Sequence, residues 1–122
     1  MTTRAVVRGV GHYLPDRVVP NTWFKDTLGL DTSDEWIVSR TGIERRHFAA
    51  EGETTSDLAV KAATAALADA GLSAADLDAL IVATSTADLT FPSAATMVQG
   101  ALGMESGFAF DVQAVCAGFV YG

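Results

Sequence analysis

The chain has 122 residues, 49% of them hydrophobic and 19% charged, enough for one globular domain with a core or for part of one. Its net charge of −7 argues against nucleic acid as a partner, because phosphate binding needs a concentrated surplus of Lys and Arg, and it disfavours an anionic membrane surface. Arg4 and Arg8 interrupt the apolar start, so neither a signal-peptide core nor a span of about 20 apolar residues is available, and a soluble cytoplasmic protein is expected.

Strand-like and helix-like segments alternate along the chain, the mark of an α/β fold. Ala5 to Val10 is rich in Val and bounded by Gly9 and Gly11, predicting a first strand that ends in a turn around Pro15 and Asp16. Gly9-Val10-Gly11 is not a dinucleotide fingerprint, since the third glycine is missing and a turn follows. Asn21 is placed to cap a short helix through Leu28 that Gly29 would stop. Thr32 or Ser33 caps a second helix with Asp34 and Glu35 in its first turn and Arg40 near its end, closed by Gly42. Ile43 to Phe48 reads as extended, and its basic cluster Arg45, Arg46 and His47 reads as a solvated edge.

The clearest helix runs from about Ser56 to Ala70, with Leu58, Ala62, Ala66 and Ala70 at i, i+4 spacing and Gly71 as its stop. So many alanines on one face predict close approach to another element. Ala79 to Ser85 has the short apolar run of a central strand buried on both faces. Ser93 caps the next helix, Ala94 to Leu102, which Gly103 ends. Phe108, Phe110 and Val112 alternate with Ala109 and Asp111 in a last strand that runs into Gln113-Ala114-Val115-Cys116-Ala117-Gly118-Phe119.

Cys116 is the only cysteine, so no internal disulfide or Cys-based metal cluster can form, and one thiol remains to be explained. Where a strand hands over to a helix, the helix dipole favours an anion, which suits a nucleophilic sulfur. Buried space-filling is the competing reading, and the local pattern alone leaves both open. In the same way Trp36 and Arg40, four residues apart on one helix face, suit either a nucleotide site or a surface cation–π pair without a ligand.

Three segments together shift the choice. Asp-Thr-Ser-Asp-Glu-Trp-Ile-Val-Ser-Arg-Thr-Gly-Ile at residues 31 to 43, Phe91-Pro92-Ser93-Ala94-Ala95, and Ala114 to Tyr121 resemble the 3-oxoacyl-(acyl-carrier-protein) synthase III family in order and spacing. The resemblance implies a thiolase-like α/β fold, with residues 1–122 as its N-terminal half: a five-stranded mixed sheet with helices on both faces, dimerising through the last strand. It implies that Cys116 takes a short acyl group from acyl-coenzyme A as a thioester. The carbanion released when malonyl-acyl carrier protein loses carbon dioxide then attacks that thioester, giving a 3-oxoacyl product, with the Cys116 backbone N–H donating into the oxyanion hole.

By the same resemblance Trp36 stacks on the adenine of coenzyme A, Thr32 hydrogen-bonds near it, Arg40 meets a nucleotide phosphate, and Phe91 reaches across a homodimer to line the partner's acyl pocket. Coenzyme A thioester is a substrate, and no resident cofactor or metal is expected. The family's catalytic histidine and asparagine belong to a second half; neither His12 nor His47 matches that histidine. The chain ends at Gly122 barely two turns into a helix, so the expectation is either a fragment or a fold completed by another segment. Priming of fatty acid synthesis is the leading function; a related synthase of specialised metabolism and a non-catalytic thiolase-fold dimer partner are the alternatives.

Overall fold

In the computed structural model, residues 3–122 are described. They divide into two compact units, Leu14–Glu53 and a larger one formed by the residues up to Tyr13 together with Thr54–Gly122.

In the smaller unit, β1 (Arg17–Pro20) pairs antiparallel with β2 (Arg45–Phe48), Arg17 opposite Phe48 and Pro20 opposite Arg45. Between them lie α1 (Thr22–Asp26) and α2 (Asp34–Thr41). The core is small: Val19 and Ile37 are buried, and Trp23, Phe24 and Phe48 meet edge to face with centroids 5.5 to 6.2 Å apart. β1 falls in a stretch that sequence gave no reason to read as a strand; four residues become one because β2 offers a ladder.

Asn21 does not cap α1, and its backbone is already helical. The side chain turns inward, 1% exposed, donating to Asp34 Oδ1 at 2.9 Å and the Ile43 carbonyl at 2.7 Å, and accepting from Arg46 Nη1 at 2.9 Å. A buried amide whose donors and acceptor are all used replaces a cap by a tie between three elements.

In the larger unit, α3 (Thr55–Ala70) opens on a reciprocal cap in which the Thr54 side chain accepts the Asp57 N–H and the Asp57 carboxylate accepts the Thr54 N–H. Asp88 adds to this end, accepting the Ser56 N–H at 2.9 Å and the Ser56 hydroxyl. β3 (Ala79–Ala83) and β4 (Phe108–Val112) run parallel, connected through α4 (Ala94–Leu102), which packs on α3 and on both strands. Ala94, Ala95 and Val98 of α4 are almost wholly buried and form the centre of the unit. A four-residue α5 (Gly118–Tyr121) lies beside Ala83 on the Ile81 side of the pair, which it leaves largely uncovered.

Among the described residues the strands form two separate pairs; the five-stranded mixed sheet is not formed. The Val-rich stretch before Gly11 makes no ladder and is not a strand, although its Val10 N–H reaches Asp69 Oδ2 of α3 at 2.9 Å. Val6 to Gly9, Leu80, Ile81 and the Ala63, Ala66 and Ala70 face of α3 line a cavity of about 370 Å³. β3 is likewise not buried on both faces: Ile81, Phe108 and Phe110 on the α5 side remain substantially exposed, the two phenylalanines stacked 6.1 Å apart.

The alanine face of α3 is where the chain start approaches. A Cβ placed on Gly9 would lie 2.6 Å from the Ala70 backbone nitrogen, and one on Gly11 would meet the backbone of Ala62 and Ala66. Both glycines are therefore packing residues, and the Ala62-Ala66-Ala70 stripe is their complement.

Gly11→Ala should lower the unfolding free energy by about 1–3 kcal/mol or more, because the obstruction is backbone that cannot turn aside; urea denaturation of both proteins checks this. Desolvation pushes the Asp88 carboxyl upward, but hydrogen bonds from the Ser56 side chain, the Thr54 side chain and the Ser56 backbone outweigh it and hold Asp88 below its ordinary value of 3.8. A carboxylate with a lowered folded pKa stabilises the fold above its unfolded pKa and loses that contribution as pH falls through the folded one. The stability difference between wild type and Asp88→Asn, measured by urea denaturation across pH, should accordingly be constant near neutrality and shrink below pH about 4.

Candidate active site

Two constellations carry the site residues, one in each unit. In the smaller, Ser33 sits in extended backbone and its Oγ accepts the Trp36 N–H at 3.1 Å, starting α2; Gly42, at φ 69°, ends it. Trp36 and Arg40 then fall one turn apart, the guanidinium carbon 5.3 Å from the indole centroid, and Trp36 is 55% exposed. Beside them a cavity of about 430 Å³ is lined by Phe24, Leu30, Asp31, Thr32, Trp36, Ile37 and Arg46. The Thr32 hydroxyl is buried and has no hydrogen-bond partner among the described residues. A cavity with an open indole, an unmet hydroxyl and two guanidinium groups around it has the parts to hold a flat heteroaromatic ring carrying phosphate.

Thr32, Trp36 and Arg40 are thus brought together. Arg46 is the residue that sequence misplaced: it is no solvated edge, since it is half-buried, tied to Asn21 and stacked over Phe24 at 5.2 Å. The available signal was the alternation in β2, which sends Arg45 outward and Arg46 inward, but four residues do not say which face is which. His47 Nδ1 lies 2.6 Å from the Pro15 carbonyl, a tie between chain segments, and His12 is exposed.

In the larger unit, β4 delivers the chain to Cys116. The expected handover from strand directly to helix is replaced by a 3₁₀ turn, Val115–Ala117, with α5 after it. Four residues align few peptide dipoles, so the turn's own geometry matters more at Cys116 than a helix dipole does. Its two hydrogen bonds run from the Ala117 N–H to the Ala114 carbonyl and from the Gly118 N–H to the Val115 carbonyl, and neither uses the Cys116 N–H. The thiol is free and exposed. Gly118 is small for packing, since a Cβ there would lie 3.1 Å from the Ala83 Cβ.

Val115 has φ 48°, the left-handed region, which a β-branched residue rarely occupies. This is local strain at the residue before the thiol.

At the carboxyl ends of β3 and β4, where open α/β sheets bind ligands, Thr84, Ser85, Leu89, Thr90, Ser93 and Gln113 are among the walls of a cavity of about 490 Å³. The loop that forms one wall carries Phe91, which is 87% exposed and so not a core residue. Asp111 closes the floor: its carboxylate accepts the Ala94 N–H at 2.9 Å and the Ala95 N–H at 2.7 Å. Among the described residues no group of three or more His, Cys, Asp or Glu gathers as a metal set, and no helix is long and apolar enough to cross a membrane.

The fold is similar to that of the thiolase-like condensing enzymes. The structure of 3-oxoacyl-[acyl-carrier-protein] synthase III from Aquifex aeolicus superposes with a TM-score of 0.85 at 46% identity, covering 93% of this chain and 36% of that one. The priming beta-ketosynthase of the R1128 polyketide pathway superposes with a TM-score of 0.86 at 36% identity, covering 94% and 34%. In sequence the chain is similar to beta-ketoacyl-[acyl-carrier-protein] synthase III: it is 77% identical to that of Ruegeria pomeroyi over 121 residues and 75% identical to that of Paracoccus denitrificans over 118. These matches take in 99% and 97% of this chain, which spans about 37% of the length of its curated relatives. No protein-family model matches the chain. The resemblance read from three motifs therefore extends along nearly the whole sequence.

Because glycine adopts φ 48° without steric cost, Val115→Gly should not lower the unfolding free energy and should raise it by up to about 1 kcal/mol, the relieved strain exceeding glycine's greater unfolded-state entropy. Thermal denaturation of the two proteins tests this.

Proposed function

We propose that this chain provides the nucleophile and a coenzyme A-binding surface of a condensing acyltransferase that initiates fatty acid biosynthesis. The Cys116 sulfur attacks the carbonyl of a short acyl-coenzyme A, the oxyanion is met by the unengaged Cys116 N–H, and as the thioester bond to coenzyme A breaks the proton given up by the cysteine thiol passes to the departing coenzyme A sulfur. Malonyl-acyl carrier protein then loses carbon dioxide, its carbanion attacks the acyl-cysteine, and 3-oxoacyl-acyl carrier protein departs as the cysteine sulfur is released. The observation that carries this reading is the exposed thiol in a turn that leaves its own amide free.

Thr32, Trp36 and Arg40 hold coenzyme A: the indole stacks on adenine, the Thr32 hydroxyl gains the partner it lacks, and Arg40 meets phosphate while covering the ring's edge of the stack. Phe91, held out on its loop, serves the acyl pocket of a partner copy in a homodimer. The five-stranded mixed sheet belongs to the same reading; the cavity lined by Val6 to Gly9 and β3 is where a further ladder would close. The protein is cytoplasmic and carries no resident cofactor. The similarity to a polyketide priming ketosynthase favours, as a second reading, a synthase with the same nucleophile and a different acyl donor or acceptor.

Intact-protein mass spectrometry after incubation with acetyl-coenzyme A should show one acetyl adduct on the wild type and none on Cys116→Ala. An adduct that persists in the variant, or its absence from folded wild type with acetyl and longer short-chain donors alike, would overturn the assignment.

A further inference from the structure

Arg46 lines the cavity of Thr32 and Trp36, yet the coenzyme A reading above assigns it no task. Its guanidinium makes one hydrogen bond, from Nη1 to Asn21, and lies over Phe24. No carboxylate pairs with it among the described residues, whereas its neighbour Arg45 reaches Glu44 at 3.9 Å. Asn21 in turn is locked, both amide protons spent on Asp34 and Ile43. The result is a half-buried cation held in a set orientation with most of its five donors unused. Asp34 is reached only through Asn21, so the guanidinium keeps donors available to an anion entering the cavity.

We propose that Arg46 is a phosphate-binding residue of the coenzyme A site, oriented by the buried Asn21; the inference rests on the reading of this cavity as a coenzyme A site. The planar guanidinium fork matches two phosphate oxygens at once. The cavity wall carries one base, Arg46, and one acid, Asp31, and Arg40 adds a second guanidinium over Trp36, the groups a phosphate-bearing ligand would meet. Asn21 is a positioning residue, acting through Arg46 and sealed from solvent.

Equilibrium binding of coenzyme A and of adenosine to wild type, Arg46→Met and Arg46→Lys, across a series of KCl concentrations, tests the proposal. Expected is a loss of coenzyme A affinity of about ten- to hundredfold in Arg46→Met, with a flatter salt dependence and unchanged adenosine binding. Arg46→Lys keeps the charge and should recover part of the loss with the wild-type salt dependence. Should Arg46→Met fail to fold, Arg46→Lys decides: its fork is lost, so coenzyme A binding weakens severalfold while adenosine binding does not. Wild-type coenzyme A affinity in both variants, or equal losses for coenzyme A and adenosine, would overturn the proposal and leave the coenzyme A reading standing. Failure of the wild type to bind coenzyme A at all would remove both.

Discussion

The carboxylate of Asp111 holds the larger unit together. It stands mid-strand on β4 with its neighbours across the ladder apolar, and it accepts two backbone N–H groups from the first turn of α4. A helix start cannot satisfy these amides internally, and a carboxylate directed toward the core needs donors, so each meets the other's need. The consequence reaches both ends of the site. Downstream, β4 leads in four residues to the Cys116 turn; upstream, the α4 start fixes the loop that carries Phe91 and the wall of the cavity at the strand ends.

Asn21 plays the corresponding part in the smaller unit by a different route. A neutral amide stands between the Asp34 carboxylate and the Arg46 guanidinium and uses each of its groups to bind α2, the strand entry at Ile43, and Arg46 of β2. The unit has few buried apolar side chains, so directional polar ties and edge-to-face aromatic contacts replace bulk burial as the source of a single arrangement. Helix α2 is thereby held where its exposed face, with Trp36 and Arg40, borders the cavity.

The two units also differ in what they leave open. The α5 side of the β3–β4 pair displays Ile81 and the stacked Phe108 and Phe110, and Phe119, Val120 and Tyr121 of α5 are exposed as well. That face sets the stretch around Cys116 apart from the α4 side, where Ala94, Ala95 and Val98 are packed almost without exposure.

Sequence by itself determined the elements whose stabilisation is local. The stops of α2, α3 and α4 at Gly42, Gly71 and Gly103 and the Ser93 cap of α4 were legible because caps act within one turn, whereas the choice of Ser33 over Thr32 and the Thr54 cap that starts α3 just before Ser56 came from the structure. β4, the Trp36–Arg40 pair on α2 and the thiol following β4 were legible for the same reason. Tertiary structure alone decided the rest. Whether Ala5 to Val10 or Arg17 to Pro20 is a strand depends on which finds a ladder partner far along the chain. Asn21 is a tie and not a cap because Asp34, Ile43 and Arg46 converge on it. Gly9 and Gly11 are packing residues because α3 presents its alanines to them. Such contacts join residues tens of positions apart, and no local propensity encodes which of them will meet.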